Sequence, residues 1–241
     1  MRESIMVRYD KQWQAVRQRI ADALAASARP PDSVRLLAVS KTFPAEAIRA
    51  VHALGQRAFG ENYVQEAVAK KAALADLPGV EWHLIGPLQS NKAGAAARCF
   101  DRVESVDRLR IADALSAARA GASRPLDVLV QVNVSGEATK SGVAPADAVA
   151  LARHVAALPN LRLRGIMGIP APTTDSARLR REFRALRDCY DACQDAGLAV
   201  DTLSMGMSAD LELAIAEGST EVRIGTAIFG EREKPVKAGD S

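Results

Sequence analysis

The chain has 241 residues, of which 48% are hydrophobic and 25% charged, and its net charge is +3. Such a composition is that of a globular protein, long enough for one α/β barrel or two small domains. Basic and acidic residues are interleaved, and only 4% of residues are aromatic, which disfavours nucleic-acid binding. The first residues lack the apolar core of a signal peptide, and no window is apolar enough to span a membrane. We therefore expect a cytoplasmic protein that binds neither nucleic acid nor membranes.

The cysteines and histidines do not have the spacing of a metal site. The chain has three of each, and the two closest cysteines, Cys189 and Cys193, are separated by one turn of a predicted helix with no histidine near them. An odd number of cysteines also argues against a disulfide framework. We expect reduced cysteines and no bound metal.

Helical and strand patterns alternate along the chain. An amphipathic helix is predicted over residues 5–28, with apolar residues at three- and four-residue spacing. Ser90 and Asp107 are predicted to cap two of the later helices. The predicted strands cover residues 34–39, 57–59, 80–85, 102–106, 126–134, 161–169, 200–204 and 221–224. The predicted helices that follow them run over residues 44–54, from 62 to about 75, 90–98, 109–119, 145–157, a long segment ending before Gly197, 210–217 and a short segment from Thr226.

Eight strands alternating with helices predict a single α/β domain, one closed (β/α)8 TIM barrel over residues 34–230. The extra N-terminal helix lies within residues 1–33, and residues 231–241 form a polar tail. A doubly wound open sheet is the alternative. That fold usually has a glycine-rich loop after its first strand, and the segment Ser40–Phe43 is not one, so the barrel is favoured.

Lys41 stands at the carboxyl end of the first predicted strand, where barrels place their functional residues. It shares a strand face with Leu37 and Val39, so we expect the amine to be partly desolvated. Desolvation lowers the pKa of an amine and makes it a better nucleophile towards a carbonyl group. The alternative is an ordinary solvated lysine at a strand end.

Two loops near the end of the chain have the composition of a phosphate site. The loops after strands seven and eight of a barrel commonly hold phosphate through backbone N–H groups and hydroxyls. Here they contain Ser204, Gly206 and Ser208 in one loop, and Gly225 and Thr226 in the other. The alternative is ordinary helix capping by the same residue types.

Arg223 alternates with two apolar residues on the last strand, which predicts that its guanidinium points into the barrel. It could pair there with Glu61 or another carboxylate, or it could contact a ligand. A reactive lysine, a phosphate site and an inward arginine together suggest a phosphorylated aldehyde held as a Schiff base. Pyridoxal 5′-phosphate (PLP) and the sugar phosphates of lysine-dependent aldolases both fit this description.

Five segments carry a resemblance to a known family: AVSKT (38–42), FGENYVQE (59–66), HLIGPLQSNK (83–92), SMGMSAD (204–210) and VRIGTAIFGER (222–232). In these segments, which lie between residues 34 and 232, the chain resembles the YggS/PROSC family of PLP homeostasis proteins. The resemblance implies a barrel of the alanine racemase N-terminal type. It implies a Schiff base between PLP and Lys41, and Arg223 facing the pyridine nitrogen. Further cofactor-binding residues by this resemblance and by position at the strand ends are Asn62, His83, Ser204, Gly206, Ser208, Gly225 and Thr226.

Two further positions bear on the resemblance. Phe43 replaces a lysine that many family members carry, which leaves Lys41 in place. Lys140, followed by Ser141 and Gly142, matches another family motif, and we expect a role for it in cofactor release.

The resemblance implies a protein that stores, buffers or delivers PLP, with PLP-dependent apoenzymes as possible partners, without turnover of its own. An arginine cannot protonate the pyridine nitrogen, which weakens PLP as an electron sink.

The first alternative is an amino-acid racemase that uses Lys41 as a base, alone or with His83. Racemases of this type draw a second acid/base group from another domain or subunit, and here only a short tail follows the barrel. We therefore expect a monomer that is not an enzyme. The second alternative is the aldolase.

Overall fold

A computed structural model describes residues 2–137 and 139–231 of the chain. Most of the predicted polar tail, residues 232–241, lies outside the described residues. The strands are β1 Arg35–Val39, β2 Ala58–Glu61, β3 Glu81–Leu84, β4 Arg102–Val106, β5 Leu126–Val132, β6 Leu161–Gly168, β7 Thr202–Ser204 and β8 Glu221–Ile224. The α-helices are α1 Arg2–Ala26, α2 Ala45–Ala53, α3 Val64–Ala73, α4 Ala93–Cys99, α5 Leu109–Arg119, α6 Ala148–Ala157, α7 Ser176–Asp195, α8 Leu211–Ala216 and α9 Thr226–Phe229.

The eight strands are parallel and pair in chain order, and β8 pairs with β1 to close a barrel. This confirms the predicted (β/α)8 barrel with an additional N-terminal helix. Helix α1 packs against α2, α8 and α9 through a buried stripe that includes Trp13, Val16 and Ile20. None of the helices in the described ranges is long and apolar enough to cross a membrane.

Some element ends differ from the prediction. Ser90 belongs to a short 3-10 turn, Ser90–Lys92, that precedes α4, and Arg108 rather than Asp107 holds the N-cap position of α5. Neither α4 nor α5 has a side-chain hydrogen bond at its N-cap. Strand β2 continues over Gly60 and Glu61, whose backbones pair with β3 despite their low strand propensity.

The interior of the barrel holds ionic side chains where many barrels have branched aliphatic ones. His83 Nδ1 lies 2.7 Å from Glu104 Oε1 and 4.0 Å from Glu221 Oε1. Arg102 donates to Glu221 Oε2 over 3.3 Å. These four residues are buried and come from β3, β4 and β8. Because β8 is adjacent to neither β3 nor β4, the contacts of Glu221 cross the inside of the barrel.

This buried cluster shifts the pKa values of its members. Burial opposes the charged form of His83, but the Glu104 and Glu81 carboxylates outweigh burial and raise the pKa of His83 to about 9. Burial also opposes ionisation of Glu104, yet His83 and Arg223 hold its pKa below the usual value. For Glu221, burial and the neighbouring Glu104 charge raise the pKa to about 7. His83 is therefore an imidazolium at neutral pH, paired with an ionised Glu104.

Replacing Ala28 with glycine should stabilise the protein. Ala28 has a φ of 50°, where the chain leaves α1 through hydrogen bonds from Ala28 N to Ala25 O and from Arg29 N to Leu24 O. This left-handed position costs a non-glycine residue about 1–2 kcal/mol, part of which the greater freedom of glycine in the unfolded chain offsets. We expect A28G to raise the free energy of unfolding by about 0.5–1 kcal/mol in urea melts. The matched control is Ala15→Gly in the exposed middle of α1, which should instead lower it by roughly 1 kcal/mol. A loss of stability in A28G would contradict this account.

Replacing Glu104 with glutamine should lower the free energy of unfolding by about 3 kcal/mol, because it leaves the buried His83 imidazolium without its nearest countercharge. The folded pKa of His83, about 9, lies above its ordinary value of 6.5, so its stabilisation is complete below pH 6.5 and is lost as pH rises through 9. Wild-type stability should therefore fall more steeply over that range than the stability of E104Q, as measured by urea melts at each pH.

The matched control breaks a histidine–carboxylate pair on the surface. His154 Nε2 lies 2.6 Å from Asp113 Oδ1, and the two side chains are 36% and 55% exposed. Exposed pairs contribute about 0–1 kcal/mol, so Asp113→Asn should change stability little. If E104Q and D113N lost the same free energy of unfolding, burial of the His83–Glu104 pair would not be the reason for its strength.

Candidate functional site

A cavity of about 540 Å³ opens at the carboxyl ends of the strands and is called the carboxyl-end cavity below. This volume is within the usual range for small-molecule sites. The residues that line it come from loops after seven of the strands or from strand ends: Val39, Lys41, Phe43, Asn62, Ile85, Gly86, Pro87, Gln131, Lys140, Ser141, Ile169, Met207, Ser208, Ala209, Arg223, Gly225 and Thr226. Among these described residues three are cationic, and none has a carboxylate. The cavity therefore favours an anionic ligand.

Lys41 is half-buried, and hydrogen bonds on both sides fix the backbone around it. Before it, the Ser40 hydroxyl donates to Glu61 Oε1 over 2.6 Å, and the Ser40 carbonyl accepts from Lys70 Nζ over 2.8 Å. After it, Thr42 N donates to Glu66 Oε1 over 2.6 Å. Thr42 has a φ of 68°, which is rare for a β-branched residue and turns the chain sharply beyond Lys41.

Lys70 holds this arrangement together from α3. Its ammonium lies 2.8 Å from Glu61 Oε1 and 2.7 Å from Glu66 Oε1, so one cation binds both carboxylates that anchor the loop. Burial raises the pKa of Glu61, although the Lys70 ammonium and the Ser40 hydroxyl oppose that shift. The conformation of the loop that contains Lys41 is therefore fixed by side chains on the outer side of the barrel wall.

The loops after β7 and β8 approach each other on the same side of the cavity. Ala227 N donates to Ser208 Oγ over 3.4 Å, which links the loop containing Ser208 to the one containing Gly225 and Thr226. Gly206 has a φ of 96°, and a Cβ there would lie 2.5 Å from Ala214 Cβ, so the loop can pack on α8 only with glycine at this position. Hydroxyls of both loops thus line one corner of the cavity.

Arg223 is 4% exposed, and its guanidinium is held by three oxygens. One terminal nitrogen donates to both the carbonyl and the hydroxyl of Ser204 over 2.7 Å, and the other donates to Gly168 O over 2.8 Å. The Ser204 hydroxyl in turn donates to Glu104 Oε2 over 2.7 Å. Burial lowers the pKa of Arg223, and the charges of Glu104 and Glu221 oppose that shift. The interior cluster therefore supports a guanidinium at the floor of the cavity.

The structure brings six of the nine predicted site residues to the cavity: Lys41, Asn62, Ser208, Arg223, Gly225 and Thr226. Ser204 and Gly206 do not line it; Ser204 holds Arg223 from behind, and the Gly206 carbonyl accepts from Arg223 N. His83 does not line it either, because the side chain turns into the interior and pairs with Glu104. A position for His83 at the cavity, as a cofactor contact or as a racemase base, is therefore not observed.

Glu61 was one of the alternatives that the sequence left open as a partner of Arg223. It faces α3 and pairs with Lys70, so it is not the partner of Arg223. Phe43 lines the cavity and stacks on Phe229 with ring centroids 5.1 Å apart. Phe43 thus contributes to an aromatic contact between the Lys41 loop and α9.

Several residues that shape the site were not predicted from the sequence: Ser40, Glu66, Lys70, Glu104 and Gln131. Lys140, for which a role was predicted, lines the cavity with its Nζ 3.2 Å from Glu137 Oε1. One sequence pattern could have indicated the interior cluster. Charged residues stand two apart within single strands, as in Glu81 and His83 or Arg102 and Glu104, which places both on one strand face.

Comparisons with known proteins agree with this architecture. The family model described as alanine racemase, N-terminal domain, matches residues 12–233. A relative named pyridoxal phosphate homeostasis protein from Pseudomonas aeruginosa is 57% identical over 218 residues, covering 90% of this chain and 93% of the relative. The protein of the same name from Escherichia coli K12 is 50% identical over 220 residues, covering 90% and 94%.

A solved structure is also similar to this chain over most of its length. PipY from Synechococcus elongatus, determined with PLP bound, is 43% identical with a TM-score of 0.77, and the match covers 88% of this chain and 100% of PipY. The family model spans most of the chain, and the relatives are similar over nearly their full length. The chain therefore belongs to the family of pyridoxal phosphate homeostasis proteins, which are built on the alanine racemase N-terminal domain.

Proposed function

We propose that this protein binds PLP in the carboxyl-end cavity and acts in PLP homeostasis by storing, buffering or delivering the cofactor. The observation that carries the proposal is a cavity whose described lining includes the cationic side chains of Lys41, Lys140 and Arg223 and no carboxylate side chain. A phosphate dianion is favoured in such a field. The PLP-bound structure of PipY supports the identity of the ligand.

The described residues suit PLP group by group. PLP supplies an aldehyde that reacts with an amine, a ring nitrogen and a phosphate dianion. Lys41 is the amine we assign to the aldehyde, and Ser208, Gly225 and Thr226 would hold the phosphate. Arg223 would face the ring nitrogen, and Asn62 lies on the wall between these groups.

Arg223 would determine how the bound ring behaves. A guanidinium only donates hydrogen bonds, and this one is fixed by Ser204 and Gly168. It would therefore leave the ring nitrogen unprotonated, which disfavours carbanion chemistry at a bound amino acid. This supports holding the cofactor over turning over a substrate.

The role we propose is that of a cytoplasmic, monomeric, single-domain carrier whose acceptors are PLP-dependent apoenzymes. Exposed apolar side chains at the cavity support access from outside, because Ile169 and Met207 are 36% and 38% exposed. Lys140, on the loop after β5, would assist release of the cofactor from the same opening.

Replacing Lys41 with alanine should abolish covalent attachment of PLP. Wild-type protein loaded with PLP should show a visible absorption band that borohydride removes, and peptide mass spectrometry should then find the reduced adduct on Lys41. K41A should show neither. The matched control is Lys140→Ala, which removes the other amine of the cavity and should keep the adduct.

An adduct that persists in K41A and disappears in K140A would assign the linkage to the wrong lysine. An adduct in both variants would show that the reaction is not specific to this cavity. Far-UV circular dichroism of each variant confirms that the barrel is folded before these spectra are compared.

The loaded protein should restore activity to a PLP-dependent apoenzyme, because cofactor held by an amine can pass to another amine. Reactivation should be followed by the apoenzyme's own assay, with loaded protein freed of unbound PLP by gel filtration. The control is K41A treated in the same way, which should reactivate little. Sustained exchange between amino-acid enantiomers by wild-type protein, at a kcat of about 1 per second or more, would instead support a racemase.

A further inference from the structure

A second cavity, of about 410 Å³, lies at the amino ends of β1 and β2 and is called the amino-end cavity below. Its walls are the carboxyl-terminal half of α1, the segment of residues 29–36 that leads into β1, and residues 55–58 before and within β2. The carboxyl-end cavity lies at the other end of β1, a strand of 5 residues that spans roughly 16 Å at about 3.3 Å per residue. The two cavities share no lining residue among those described.

The charges around the amino-end cavity are strongly unbalanced. Arg17, Arg29, Arg35 and Arg57 line it, whereas Asp32 is the one acidic residue among the described lining residues. Of the four arginines, the described residues pair only Arg35 with a carboxylate, that of Glu81.

The other three guanidiniums contact neutral groups. Arg29 donates to the carbonyls of Ile215 and Ser219 over 2.8 and 2.7 Å. Arg57 donates to the carbonyls of His52 and Gln56 over 2.9 and 3.0 Å. The Arg17 guanidinium lies 5.0 Å from the centre of the Trp13 ring. These carbonyl and ring contacts orient the guanidiniums, and among the described residues no carboxylate forms an ion pair with them.

The rest of the lining is largely apolar. Trp13, Ile20 and Leu24 of α1 face Val34 and Leu36 at the start of the barrel, and all five line the cavity. A cavity with an apolar wall and several arginines suits an anion that also carries an organic body. An inorganic phosphate ion would leave most of the volume and the apolar wall without contacts.

We propose that the amino-end cavity binds a phosphate monoester of a small heterocyclic molecule, with Arg17, Arg29 and Arg57 recognising the phosphate. Arginine suits this role because its planar donor groups match phosphate oxygens. The occupant belongs either to the nucleoside monophosphates or to the vitamin B6 phosphates, which share this chemistry. The site is separate from the carboxyl-end cavity and does not depend on the function proposed for that cavity.

The test is isothermal titration calorimetry of the full-length protein with two probes, adenosine 5′-monophosphate and pyridoxine 5′-phosphate. The second probe has no aldehyde and cannot become linked to Lys41. At least one probe should bind saturably, and Arg17→Glu with Arg57→Glu should weaken that binding at least about tenfold, because each change removes a charge-assisted contact. The probe that binds more tightly identifies the source of the phosphate.

The matched control is Arg110→Glu with Arg153→Glu, two exposed arginines on α5 and α6 that give the same change in net charge. It should leave the affinity unchanged within about twofold, since charges remote from the site are screened by salt. If the R17E/R57E variant unfolds in far-UV circular dichroism melts, Arg17→Gln with Arg57→Gln replaces it.

Three results would overturn the proposal. In the first, neither probe binds saturably at millimolar concentration. In the second, the two charge-reversal pairs weaken binding equally. The third is binding that survives R17E/R57E but is lost in Lys140→Glu, which would place the anion in the carboxyl-end cavity. The two tests stay distinct, because the test of the proposed function measures a covalent adduct on Lys41, which neither probe can form, whereas this experiment measures the loss of affinity in R17E/R57E.

Discussion

The hydrogen bonds between Arg223, Ser204 and Glu104 connect the interior of the barrel to the floor of the carboxyl-end cavity. A guanidinium that is 4% exposed is stable only when oxygens replace its hydration, and Ser204 and Gly168 supply three of them. The Ser204 hydroxyl is oriented by Glu104, which is held by His83. Removing one member leaves another buried charge unsatisfied, so the cluster constrains the cavity as a unit.

Closure of the barrel brings the carboxyl ends of its first and last strands to this cavity. Since β8 pairs with β1, Leu37 lies opposite Arg223, and Lys41 follows β1 where Gly225 follows β8. Each side is fixed by its own buried groups, namely Lys70 and Glu61 behind Lys41, and Glu104 behind Arg223. Lys41 and the guanidinium are therefore both positioned by neighbouring strands of one rigid sheet, as sites built on barrel strands commonly are.

The sequence was enough to predict the barrel and most of the site residues that line the cavity, because strand order and the strand ends determine which loops meet. It did not suffice for the side-chain partners. Glu61 ends β2 and His83 lies one residue before the end of β3, yet His83 turns inward to Glu104 and Glu61 turns outward to Lys70. A change of one position in strand register reverses the face on which a residue lies, and periodicity over three or four residues fixes that register poorly. The buried ionic pairs also depend on contacts between distant strands, which a local pattern cannot specify.

The carboxyl-end cavity is better equipped to hold an anion than to move protons. Its described lining residues include no aspartate, glutamate, histidine, tyrosine or cysteine, so Lys41 and Lys140 are the side chains there that could act as a base. A racemase needs acid and base groups on opposite faces of a carbon atom, and His83, which could have been one of them, is buried against Glu104. Phe43 further replaces a possible amine with a ring that stacks on Phe229. A site with several cations and one half-buried lysine at a strained turn therefore agrees with the proposed binding and release of a phosphorylated aldehyde.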